Sequence, residues 1–127
     1  MTRTLLLLAA LAIIVPAFAH HSEAAEFDQN RPVKLTGTIV KVEWLNPHVW
    51  FYVDVKDEQG NAATWGFSAA PQGALMRRGI TKEALVIGAV VNVEGSRARD
   101  GSNNASGRSV TFADGRNVFT ATNEVGR

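Results

Sequence analysis

Three features of this 127-residue chain predict a mainly β fold. Residues 48–56 (HVWFYVDVK) alternate apolar and polar side chains with a period of two, the pattern of a half-buried strand. Turn signals recur between such runs, at Asn46-Pro47, at Glu58-Gln59-Gly60-Asn61 and at Asp114-Gly115. Only the stretch between Pro71 and Gly79, a good starter and a good stop, reads as a helix of any length.

Residues 20–32 are polar, include Pro32 and read as an extended arm. Residues 33–44 (VKLTGTIVKVEW) form the first strand, with Val33, Leu35, Gly37 and Ile39 on one face. The alternation then slips, and Val40, Val42 and Trp44 continue it. A one-residue slip beside a glycine is what a bulge or sharp bend produces. In the second strand, 48–56, Val49, Phe51, Val53 and Val55 share one face, and His48, Trp50, Tyr52 and Asp54 take the other. A hairpin leads to the third strand at 62–68, followed by the short helix and a second turn from Thr81 to Leu85. Gly88 introduces a fourth strand at 89–95, residues 96–107 read as a loop, and 108–113 and 117–120 pair across Asp114-Gly115. Three strands, a helix and further strands, with a bent first strand, is the order of an OB-fold. The expected architecture is a five- to six-stranded OB-fold-like barrel over residues 33–121, with one short helix between strands three and four and a tail at 122–127. An open β-sandwich or an SH3-like barrel is the runner-up.

Composition narrows the class further. With 46% hydrophobic and 20% charged residues the chain is no disordered segment, and its length fits one domain. Thirteen basic against 12 acidic residues give +1, which is no strongly basic polymer binder. The absence of cysteine excludes disulfides and thiolate zinc sites. Arg3, the apolar run 5–15 and the small-x-small end Ala17-Phe18-Ala19 read as a signal peptide over residues 1–19. The run is shorter than the ~20 residues that cross a bilayer, so no transmembrane anchor is expected in the mature form. Cleavage leaves 108 residues beginning at His20, with 12 basic and 12 acidic side chains. The bacterial periplasm is the expected destination. A domain of that size buries about two-thirds of its unfolded surface and stands on its core alone.

Candidate functional residues fall into three sets. Cleavage after Ala19 would give His20 a free amine beside its imidazole, and His21 or His48 would add a further nitrogen. Such a set suits Cu(II), with a geometry like the histidine brace of copper oxygenases. The bland alternative is a polar arm, with His48 bonded within its own turn. The second set is the polar-aromatic face of the second strand, His48, Trp50 and Tyr52, with Trp44 and Trp65 as neighbours of ambiguous phase. OB-folds hold ligands on this face, often by stacking on aromatic rings; the alternative is that the arm or last hairpin covers it. The third set, Arg77-Arg78 at the helix end and Arg97 and Arg99 in the long loop, is placed to meet an anion or to remain solvated. No nucleophile motif, phosphate loop or dinucleotide fingerprint occurs, so no enzyme is expected unless copper makes a redox centre.

The stretches HHS at 20–22, LTGTIVKVEWLNPHVWFYVDV at 35–55, RRG at 77–79, VNVEGSRARDGSN at 91–103 and VTFADGR at 110–116 resemble a family of small exported bacterial proteins of unknown function. The resemblance implies export and a compact β-barrel-like domain, and no activity or cofactor. Relatives often carry an aromatic residue where Ile80 follows RRG. The leading expectation is a periplasmic, non-enzymatic binding module for a small ligand or an envelope protein, using His48, Trp50, Tyr52, Trp44, Arg77, Arg97 and Arg99. A copper protein using His20, His21 and His48 is the alternative. Single-stranded nucleic-acid binding is a third, but export and balanced charge weigh against it, and no nucleic-acid partner is expected.

Overall fold

The computed structural model describes residues 23–120. Six strands follow one another as β1 (Phe27–Glu43), β2 (Trp50–Lys56), β3 (Ala62–Ser68), β4 (Val90–Ala98), β5 (Asn104–Phe112) and β6 (Asn117–Thr120). A short helix, Gln72–Arg77, and a 3-10 turn, Lys82–Ala84, lie between β3 and β4. The helix follows Pro71, stops before Gly79 and buries Leu75 in the core. The mainly β, OB-fold-like expectation holds, including the helix between strands three and four.

Hydrogen-bonded neighbours run β3-β2-β1-β4-β5-β6, and a parallel pairing of β3 with β5 closes a ring of strands. The long first strand serves both sides of that ring. Its portion from Phe27 to Thr38 pairs with β4, and that from Thr38 to Glu43 pairs with β2. Register slips between Ile39 and Lys41, which is the phase slip legible in the sequence. Inside the ring, Phe51 stacks on Phe67 at 5.3 Å and meets Phe119 edge-on at 6.2 Å. Ile39, Val49, Val53, Leu75, Val91, Val93, Ala105 and Val110 are fully buried with Phe51 and Phe67.

Two sequence expectations are corrected. The segment 20–32 is not all arm, because β1 begins at Phe27, which is buried and pairs with Ala98. A register break between Phe27 and Pro32 accommodates a residue that has no N–H to give the ladder. Residues 96–107 are not one loop either, since β4 runs on to Ala98 and β5 starts at Asn104. Their Gly, Ser and Asn composition serves close approach. A Cβ at Gly95 would lie 1.5 Å from the Ser106 carbonyl oxygen, and the Ser96 N–H donates to Ser106 Oγ. The leader 1–19, His20, His21 and the tail 122–127 lie outside the described residues. Among those described, no helix is long and apolar enough to cross a membrane.

Candidate functional site

Because Phe51 and Val53 point into the ring, Trp50, Tyr52 and Asp54 point out of it. Register sets Ser68, Gly66 and Thr64 of β3 opposite these three, in that order. On the other flank β1 sets Glu43 opposite Trp50 and Lys41 opposite Tyr52. The Trp50 and Tyr52 rings stand 6.5 Å apart with planes 25° from parallel. They meet over Gly66, where an added methyl would lie 3.2 Å from Tyr52 Cε1 and 3.5 Å from Trp50 Cζ3. A side chain there would lift the rings off the sheet. The closing β3–β5 pairing brings Asn104 to the same spot, its Oδ1 2.5 Å from that hypothetical methyl.

Polar groups border the rings. Tyr52 donates to Glu43 Oε2 at 3.2 Å, and Lys41 Nζ lies 2.7 Å from Glu43 Oε1 and 5.2 Å from the Tyr52 ring centre. The Lys41 hydrogen bond, supported by that of Tyr52, holds the Glu43 carboxyl below its ordinary value. The same bond raises Lys41, while burial and then the Glu43 bond raise the Tyr52 phenol. A lowered carboxyl stabilises the fold above its unfolded value, and that contribution is lost as pH falls through the folded one. Tyr52 is therefore expected to keep its Glu43 contact through the upper carboxylate range and to lose it only at more acidic pH. An NMR titration of the Tyr52 ring protons checks this.

On β2's outer side, Asp54 accepts the Thr64 hydroxyl at 2.6 Å. At the strand's start, His48 Nδ1 lies 3.1 Å from Ser68 Oγ, a cross-strand contact and not one within its turn. A groove of about 410 Å³ runs along this end, lined by residues 43 and 45–48, by both rings and by Asn104. A larger hollow of about 490 Å³ lies elsewhere, between β1, β4 and β5. Its cations are already engaged, Lys34 with Glu94 at 3.3 Å and Arg108 with Ser96 Oγ at 2.8 Å.

The structure thus brings His48, Trp50 and Tyr52 together and sends the other named residues elsewhere. Trp44 packs against the core, and its carbonyl accepts from Gln72 Nε2. Trp65 shares the inward side with Val53 and Phe67 and is covered by Arg97, 5.1 Å from its ring centre. Arg97 also donates to the carbonyls of Gly101 and Ser102. Arg99 donates to the Ala24 carbonyl and sits 4.0 Å from Asp28, tying the first described residues to the β4–β5 turn. Arg77 is exposed in the helix's last turn, and Arg78 donates to the Thr120 carbonyl. None of these arginines lines the groove. Of the copper set only His48 is described, and among the described residues no three His, Cys, Asp or Glu are grouped to hold a metal. Sequence reasoning passed over Gly66, Glu43 and Asn104. A glycine inside a strand was the available signal for close approach.

A closed ring of strands with a short helix between the third and fourth defines a protein of the OB-fold-like class. The chain belongs to the family of unknown function DUF6152, whose model matches residues 8–108. No curated protein matches it. Among solved structures it is similar to the mitochondrial single-stranded DNA-binding protein of S. cerevisiae, with 12% identity, a TM-score of 0.51, and coverage of 69% of this chain and 95% of that one. The N-terminal domain of PriB from Thermoanaerobacter tencongensis is 18% identical over 67% and 98%, with a TM-score of 0.47. The small single-stranded DNA-binding protein of Streptomyces coelicolor is 16% identical over 64% and 89%, with a TM-score of 0.41. At such identity the likeness is one of fold. It also corrects the expectation that nucleic acid is no partner, because single-stranded DNA-binding proteins share this ring of strands.

Proposed function

We propose that this protein binds single-stranded nucleic acid, seating bases on the outer face of β2 and β3. The observation that carries the reading is the side-by-side pair Trp50 and Tyr52 lying over Gly66, on the face where OB-folds take oligonucleotides. Base stacking on such rings contributes about 1–3 kcal/mol per base and tolerates any sequence. The likeness in fold to a single-stranded DNA-binding protein supports the reading.

The face also predicts an unusual ionic signature. Its cations are Lys41, already paired with Glu43, and Lys56 at the far end of β2. One or two phosphate contacts give a shallow salt slope, so affinity should fall only about three- to sevenfold between 50 and 200 mM salt. A phosphate-tracking groove would lose far more.

Tryptophan quenching by a single strand of about 15 nucleotides, near the upper site size of one OB-fold, tests the proposal. Tyr52→Ala by quenching, and Trp50→Ala by anisotropy of a labelled strand because it lacks the reporting ring, should each weaken binding about 5- to 150-fold. No saturable quenching by any strand overturns the reading, and saturable binding of a neutral oligosaccharide alone would reassign the rings to sugars.

Export to the periplasm is a separate proposal, supported by Arg3, the apolar run 5–15 and the small-x-small end at Ala19. The intact mass of the protein purified from its own cell envelope tests it, with His20 expected as the first residue.

A further inference from the structure

Resting on the single-strand reading, we propose that Asn104 is the specificity-determining residue of the aromatic face. It acts as a fixed hydrogen-bond acceptor that selects bases with an amino group at pyrimidine C4 or purine C6, cytosine and adenine, over thymine and guanine, which carry a carbonyl oxygen there.

Asp100 and Ser102 fix the orientation of the Asn104 amide. Asp100 Oδ1 accepts from the Ser102 backbone N–H at 2.9 Å and from the Ser102 hydroxyl at 2.6 Å. An ionised carboxylate only accepts, and these two bonds keep the Asp100 carboxyl below its ordinary value. The single proton of Ser102 Oγ is therefore committed to Asp100. Toward Asn104, 3.0 Å away, that oxygen can only accept, so the Asn104 amide must present its NH₂ group to it. The carbonyl end is left on the opposite side. There Oδ1 points to the place over Gly66 where the Trp50 and Tyr52 edges meet. Oδ1 takes no side-chain donor among the described residues and is open to solvent, free to meet a ligand.

A base stacked on either ring brings its edge to this oxygen. Cytosine and adenine offer an amino donor, whereas thymine and guanine offer a carbonyl oxygen in the corresponding position. Acceptor facing acceptor leaves both unsatisfied, which costs more than a lost hydrogen bond. Asn104 is half-buried, so water compensates only in part.

The test compares oligodeoxycytidine and oligothymidine of equal length by tryptophan quenching with the full chain. The wild type should prefer cytosine by about tenfold. Asn104→Ala should abolish the preference, weakening cytosine binding and relieving the penalty on thymine. Ser102→Ala should abolish it differently: the amide, released from its acceptor, turns to suit either base, and thymine binding strengthens. A purely structural role for Ser102 would instead weaken both strands alike. Equal binding of the two strands by the wild type overturns this proposal and leaves the single-strand reading standing. Undiminished discrimination in both variants also overturns it. No binding by either strand removes the reading and this inference together.

Discussion

Replacing Phe51 with alanine is expected to cost about 3–5 kcal/mol of stability, the upper range for a core truncation. The ring is fully buried, stacked on Phe67 and met edge-on by Phe119. It also fills the space beside Gly107, where an added Cβ would lie 3.2 Å from Phe51 Cε1. Removing it leaves a cavity bounded by β3, β5 and β6, of which β3 and β5 are locked to each other in the closed ring. For a domain whose total stability is roughly 5–15 kcal/mol, the variant stands at the edge of folding. At about 4–8 °C per kcal/mol the melting temperature should drop by tens of degrees. Thermal denaturation followed by circular dichroism is the measurement. Val40→Ala, at a site 41% exposed, should stay within about 0.5 kcal/mol of wild type.

Gly95→Ala is expected to match or exceed the about 1–3 kcal/mol usual for overpacking. The new methyl would sit 1.5 Å from the Ser106 carbonyl oxygen and 2.7 Å from its carbonyl carbon, at the register slip between Glu94 and Gly95. No rotamer change relieves such a contact, because both sides are backbone. The β4–β5 ladder must part there, and the buried bond from Ser96 N–H to Ser106 Oγ parts with it. A lower urea midpoint, with faster amide exchange at Gly95 and Ser96 than at Val93, is the expected result. An unchanged midpoint would mean that the two strands lie farther apart than described.

The sequence made most of the ring legible, because one physical signal dominates it. Strict alternation over 48–56 can be satisfied only by a strand with one dry face, and β2 obeys it through Val53, with Val55 half-buried at the strand's end. The helix was equally plain from Pro71 and Gly79. Misread were the places where small polar residues do a strand's work. Ser96, Ser106 and Gly107 look like loop residues, yet all three are buried where β4 and β5 approach too closely for larger ones. Pro32 looked like the end of an arm, and lies inside a strand beside a register break.

The candidate site was legible by halves for the same reason. Trp50, Tyr52 and His48 announce themselves by parity along one strand. Parity along β3, counted back from Phe67, would likewise have turned Trp65 inward. Asn104 belongs to the face only through the pairing of β3 with β5, and no local pattern encodes a contact between segments so far apart in sequence. The loop arginines drew notice for their charge, but their hydrogen bonds hold the β4–β5 turn and the first described residues in place.

That closing pairing has a kinetic consequence. It consists of three residue pairs, Gly66 with Asn104, Phe67 with Ala105 and Ser68 with Ser106. Contacts so distant along the chain form after the hairpins, since loop-closure entropy must be overcome before they contribute. The β1-β2-β3 meander can therefore assemble first, with its aromatic rings displayed and no amide beside them. Asn104 arrives only with the last stitch of the ring. Base discrimination should consequently appear later in refolding than base stacking does, and a nascent chain that ends before β5 would hold a strand without reading it.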